Sequence, residues 1–212
     1  AASLEANVQL LSTLDSSGDA AWDAAAHPDV FVTSEGAGYA GFYSTTYKVA
    51  GLQIIDAVTK EHVASAGFDL GYANMGTPHG LGVSPDGRWI YVPTADGKQP
   101  WQLNAPDGGR LLVVDARTLK LHQMIGTNKG PHHIKSFTDS NGNDRIIVET
   151  QGGPTLLLDP NDNHRVVFQI GPNQLYGQAY QVDADPAGEN LYIDLVLGSR
   201  GIASEIEGVV AK

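Results

Sequence analysis

One unit recurs four times along the chain: an apolar strand, a turn rich in Pro, Asp, Asn and Gly, and a second apolar strand. It is clearest in His79-Gly80-Leu81-Gly82-Val83-Ser84-Pro85-Asp86-Gly87-Arg88-Trp89-Ile90-Tyr91-Val92. Related stretches run from Trp22 to Thr33, from His133 to Val148 and from Tyr180 to Ile193. Their turns fall at Pro28-Asp29, Asp139-Ser140-Asn141-Gly142 and Asp185-Pro186-Ala187-Gly188. A chain that repeats one supersecondary unit is constrained to stack or ring those units, because none buries its own apolar surface.

A second unit alternates with the first: two apolar residues, an Asp, a polar turn and another apolar strand. It appears as Ile54-Ile55-Asp56, Val113-Val114-Asp115 and Leu157-Leu158-Asp159. A short carboxylate suits that position because it accepts hydrogen bonds from the backbone N–H groups ahead of it and closes the turn. One unit of each kind makes four antiparallel strands. The repeat positions Trp22, His79, His133 and Tyr180 lie 57, 54 and 47 residues apart. Four short strands in roughly 50 residues is the arithmetic of a propeller blade. The expected fold is all-β: a β-propeller of four-stranded antiparallel blades, about four in this chain, standing alone or as part of a larger propeller. A face-packed sandwich is the alternative, and it does not call for the same unit four times.

The blades span residues 22–66, 79–125, 133–170 and 180–212. Residues 7–14 read as an outermost strand that closes the ring, paired with the segment Ile206 to Ala211 or with a strand outside this chain. An unclosed ring leaves sheet edges open. The expected partners are therefore a second copy, or the remainder of a longer chain that completes the propeller.

Ser84-Pro85-Asp86-Gly87-Arg88-Trp89-Ile90-Tyr91-Val92, followed by Leu112-Val113-Val114-Asp115-Ala116-Arg117-Thr118, resembles the YVTN-type β-propeller repeat. The resemblance covers nearly the whole chain. It bears on fold far more than on function.

Composition narrows the function classes. Thirteen basic residues stand against 24 acidic ones, a formal charge of −11. No basic stripe suits a nucleic-acid partner. No apolar run approaches the roughly 20 residues that span a bilayer. The absence of cysteine removes disulfides, thiolate metal sites and iron–sulfur clusters. The start at Ala1-Ala2-Ser3 fits a mature periplasmic or secreted protein after signal removal, and equally a piece of a longer chain.

The candidate site follows from the repeat. Inner strands line a propeller's channel, so Trp22, His79, His133 and Tyr180, each opening its inner strand, converge near one mouth of the axis. Thr77-Pro78-His79-Gly80 and Gly130-Pro131-His132-His133 look like one segment in successive blades. Imidazoles converging from neighbouring blades suit a transition metal. This resembles the N-terminal propeller of nitrous-oxide reductase, where inner-strand histidines hold a copper cluster. The resemblance implies His79, His132 and His133 as ligands and copper as the cofactor. The other reading is that these histidines plug the channel and bond to the backbone.

Other signals are weaker. Asp139 to Asp144 offers oxygens but reads as a hairpin turn, not a calcium loop. His27, His62, His122 and His164 fall in turns or outer strands and read as solvated. Trp101, on the long connection Asp96 to Gly109, reads as a cover for the blade edge. Three functions stay open: a binding or assembly module for a small ligand or protein partner, a copper-dependent oxidoreductase, and a lactonase-like hydrolase. The last calls for a carboxylate beside the axial histidines, and none is evident apart from Asp23 beside Trp22.

Overall fold

The structure is a computed structural model of the chain and describes residues 8–10, 29–34, 50–68, 80–95, 109–127, 129–175, 178–196 and 206–211. Trp22, His27, His79 and Trp101 lie outside the described residues. The described residues are strands and turns apart from one short helix, α1 (Pro172–Leu175).

Four antiparallel sheets follow one another along the chain as propeller blades. The first contains β1 (Val8–Leu10), β2 (Asp29–Ser34), β3 (Ala50–Asp56) and β4 (His62–Phe68), in the order β1-β4-β3-β2. The second runs β5 (Gly82–Val83), β6 (Trp89–Ala95), β7 (Gly109–Asp115) and β8 (Leu121–Gly126) in sequence order. The third holds β9 (Pro131–Thr138), β10 (Asp144–Thr150), β11 (Thr155–Asp159) and β12 (Arg165–Ile170). The fourth holds β13 (Gln178–Ala184), β14 (Leu191–Val196) and β15 (Ile206–Ala211).

The apolar runs explain how blades stack. Successive side chains of a strand point to opposite faces. Ile90, Val92, Leu112 and Val114 pack with Leu52, Ile54, Ala64 and Ala66 of the first blade. Their chain neighbours Trp89, Tyr91, Leu111 and Val113 pack with Ile146, Val148, Leu156 and Leu158 of the third. Ile147 then joins Ala179, Val182, Ile193 and Leu195 of the fourth. A blade with neighbours on both sides is apolar on both faces, so its strands read as unbroken apolar runs rather than alternating ones. Each fully buried Leu or Ile contributes about 1.5–3 kcal/mol of transfer free energy. Among the described residues the first and fourth blades carry exposed large side chains, Val30 and Val32 on the first and Tyr192 on the fourth.

The aspartates act as the sequence leads one to expect. Asp56 Oδ1 accepts from the amides of Val58 and Thr59 at 2.7 and 2.8 Å. Asp115 Oδ1 accepts from Arg117 and Thr118 at 3.0 and 2.8 Å, and Asp159 Oδ1 from Asn161 at 2.9 Å. Asp139 Oδ1 accepts from the amides of Asn141 and Asn143, which makes residues 139–143 a hairpin turn. Gly188 has φ +68 and packs so closely that a Cβ there would lie 2.1 Å from the carbonyl oxygen of Thr138. Only glycine fits that turn-on-turn contact between the third and fourth blades.

Two expectations need correction. The N-terminal strand is outermost in its sheet as expected, but the partner found for it is β4 and not Ile206–Ala211. Val8–Leu10 pairs antiparallel with β4, Val8 opposite Phe68 and Leu10 opposite Ala66, and forms the edge of the first sheet. β15 pairs with β14 instead. The apolar pattern of a three-residue strand is too short to choose between two edges. His164 is not solvated: only 3% of it is exposed. The turn after Asp159 ends with two left-handed residues, Asn163 (φ 48) and His164 (φ 56), and the ring lies against the second blade. His62 and His122 are exposed.

Candidate functional site

β9 and β13 open with the same irregularity. On β9, Ile134 pairs with Val148 and Pro131 with Thr150, so His132 and His133 together oppose Glu149 alone. On β13, Gln181 pairs with Asp194 and Ala179 with Leu195, leaving Tyr180 as the extra residue. These are β-bulges, which add a residue to one strand and re-aim its side chains. His133 and Tyr180, equivalent in the sequence repeat, thus occupy equivalent bulge positions in adjacent blades.

The bulges bring three rings together. His132 and His133 have ring centroids 4.1 Å apart, nearly perpendicular at 81°. Each lies 5.5 Å from the ring of Tyr180. His132 is buried, His133 half-buried and Tyr180 exposed. The cluster therefore grades from the interior to the surface. The second blade reaches it through Gly80, at φ +84, where a Cβ would stand 3.0 Å from the His132 carbonyl oxygen and 3.7 Å from His133 Nδ1. The residue that follows His79 is thus in contact with the histidine pair.

Behind the rings stands Glu149, which the sequence reading missed. Its side chain has no exposed surface, and Oε2 lies 3.3 Å from His132 Nδ1. The His133 amide donates to the same oxygen at 3.4 Å. Burial pushes the Glu149 carboxyl well above the ordinary range, and the His133 amide opposes that only in part. The equivalent strand position in the fourth blade is Leu195, so an apolar core site carries a carboxyl here. The signal was Glu149 breaking the run Ile146-Ile147-Val148, easily taken for a strand end.

Two imidazoles suit copper or zinc by donor chemistry. Among the described residues, no three His, Asp or Glu side chains are placed to hold one ion. Of the expected ligand set the described residues supply His132 and His133, and His79 would have to be the third. Of the expected axial residues they supply His133 and Tyr180.

A second cluster lies between the second and third blades, away from these bulges. The Tyr91 hydroxyl lies 3.0 Å from His164 Nδ1. Trp89 sits between His122, with centroids 4.4 Å apart, and the Arg88 guanidinium at 4.5 Å. Burial first, then the charges of His122 and Arg88, lower the His164 pKa to about 4. Burial raises the Tyr91 hydroxyl, helped by Asp86, Asp159 and Asp144. The geometry is that of a latch between blades.

The fold has known likenesses. The hydrazine synthase of Kuenenia stuttgartiensis superposes with a TM-score of 0.54 at 20% identity, over 76% of this chain and 42% of that one. The Cps50 (Swd1) β-propeller domain of Myceliophteria thermophila gives 0.46 at 11% identity, over 69% of this chain and 44% of that one. The four successive antiparallel sheets, stacked through shared cores, carry the β-propeller fold of this chain on their own. The chain spans less than half the length of each of these two proteins. No family model matches it. No curated protein sequence matches it either.

Proposed function

We propose that this propeller is a binding module that holds a transition-metal ion, copper or zinc, at the mouth of its channel through His79, His132 and His133. Trp22 and Tyr180 line the same mouth. The observation that carries the reading is the pair of matched bulges, which cluster the rings of His132, His133 and Tyr180 while Gly80 of the second blade lies against the histidine pair. Neutral imidazoles in that number favour a borderline metal over calcium or magnesium. The resemblance to nitrous-oxide reductase supports copper, and with it a periplasmic or secreted setting.

Glu149 supplies the carboxylate that a lactonase-like hydrolase needs beside its histidines. Glu149 has no exposed surface, however, so its carboxylate does not reach a substrate. That favours ligand holding over hydrolysis.

The test is equilibrium dialysis of the protein against copper or zinc, followed by metal analysis, for wild type and His79→Ala. One tightly held ion per wild-type chain, lost in the variant with the fold intact, supports the reading. Equal, negligible binding by both retires it and leaves the histidines as channel-filling structure.

A second reading concerns assembly. Val30 and Val32 lie bare on the first blade. Tyr192, Gln181, Asp183 and Asp194 line an open groove of about 400 Å³ on the fourth. Internal blades bury both faces, so these two faces are where further blades pack, from a longer chain or a second copy. Native mass measurement tests this, and a stable monomer of this chain alone would contradict it.

A further inference from the structure

We infer that the junction between the third and fourth blades holds one buried water molecule, bridging Glu149 Oε1 and Thr155 Oγ1. The inference is independent of metal binding and gives Glu149 a structural task. It starts from two orphaned atoms. The Glu149 side chain has no exposed surface, and Thr155 is 2% exposed. Glu149 Oε2 accepts from the His133 amide at 3.4 Å, but Oε1 has no hydrogen-bond partner among the described residues. Thr155 Oγ1 has none among them either. Buried oxygens left unpaired are costly, and native proteins satisfy them with ordered water where no side chain reaches.

Strand register brings the two oxygens to one place. Ile146, Ile147 and Val148 of β10 stand opposite Leu158, Leu157 and Leu156 of β11. One step further in the same register, Glu149 stands opposite Thr155, which sets their Cβ atoms about 4.5–5.5 Å apart. Side chains two apart on a strand share a face. Glu149 therefore shares the face of Ile147, and Thr155 that of Leu157, both of which pack with the fourth blade. There is also room. A cavity of about 20 Å³ lies between the two blades, walled by Ile147, Ile170, Ile193 and Thr155 among others. One water needs roughly 10–15 Å³. Thr155 is the one polar side chain in that wall, so the water sits at its end of the cavity, beside Glu149.

A high-resolution crystal structure of the full chain is the direct test. The expected result is a water within hydrogen-bond distance of both Glu149 Oε1 and Thr155 Oγ1, and its loss in Thr155→Val. A direct Glu149–Thr155 hydrogen bond, or no density between the two oxygens, overturns the inference. The second measurement is urea unfolding of wild type, Thr155→Val, Glu149→Leu and the double variant. Val copies the shape of Thr, and Leu copies the equivalent position of the fourth blade. Removing a hydroxyl that has no partner leaves stability unchanged or raises it. With the water in place, Thr155→Val should instead lower the urea midpoint, because Glu149 Oε1 loses its bridge. In the Glu149→Leu background the same substitution should leave the midpoint unchanged or raise it. An equal shift in both backgrounds means that the two oxygens share nothing, and it too overturns the inference. Should Glu149→Leu not fold, the crystal structures and Thr155→Val decide.

Discussion

Acid should loosen the junction between the second and third blades, and His164 should be the group that senses it. The residue is 3% exposed and its Nδ1 shares a hydrogen bond with the Tyr91 hydroxyl, with 3.0 Å between the heavy atoms. Burial, His122 and Arg88 lower its pKa from 6.5 to about 4. The unfolded chain therefore binds a proton at a pH where the folded chain refuses it. The stability is whole above pH 6.5. It falls as pH drops from 6.5 towards 4, and below 4 the loss is complete. At 1.36 kcal/mol per pKa unit the full shift is worth about 3 kcal/mol, and water at the rim of the turn reduces this to about 2. The comparison is His164→Asn, since Asn tolerates the left-handed φ of 56. Urea unfolding from pH 7.5 to 4.5 is the assay. The variant should start less stable, having lost the Tyr91 contact, and the gap should narrow by about 2 kcal/mol at the acid end. Parallel stability curves for the two proteins would refute the reasoning.

Three further outcomes follow from the same structure. Ile90→Ala opens a cavity in the core shared by the first two blades and should cost about 2–5 kcal/mol in urea unfolding. Asp115→Ala frees the amides of Arg117 and Thr118 and should cost about 1 kcal/mol by the same measurement. The Glu149 carboxyl is held above its ordinary range, so wild type loses stability as pH rises past the usual glutamate value. Glu149→Gln lacks that loss, and thermal melts should show its advantage over wild type growing from pH 4 to pH 8.

What the sequence made legible was whatever is local and repeated. Asp56, Asp115 and Asp159 sit two or three residues from the amides they cap, so their role shows in the text of the chain. The unbroken runs Trp89 to Val92 and Leu111 to Val114 were legible as strands, and the structure shows that they belong to a blade covered on both faces. What depends on distant register did not show. The partner of Val8–Leu10 is fixed by pairing with residues nearly sixty positions away. The bulges at His132-His133 and Tyr180 are two-against-one mismatches, visible only once Ile134 and Gln181 have partners. Glu149 looked like the end of an apolar run because the groups around it, His132 and Thr155, lie on other strands. His164 looked solvated because its side-chain direction follows from two left-handed residues that no apolar pattern encodes.

The central claim is that histidines at the inner-strand bulges hold a metal ion. The most direct test is histidine-ring nitrogen–proton NMR of the wild-type chain at neutral pH, before and after one equivalent of zinc. The account expects the ring signals of His79, His132 and His133 to shift together in slow exchange. His62, His122 and His164 should stay where they were, since the first two are exposed and the third is engaged with Tyr91. Shifts confined to His62 and His122, or no shift at His132 and His133, would contradict it.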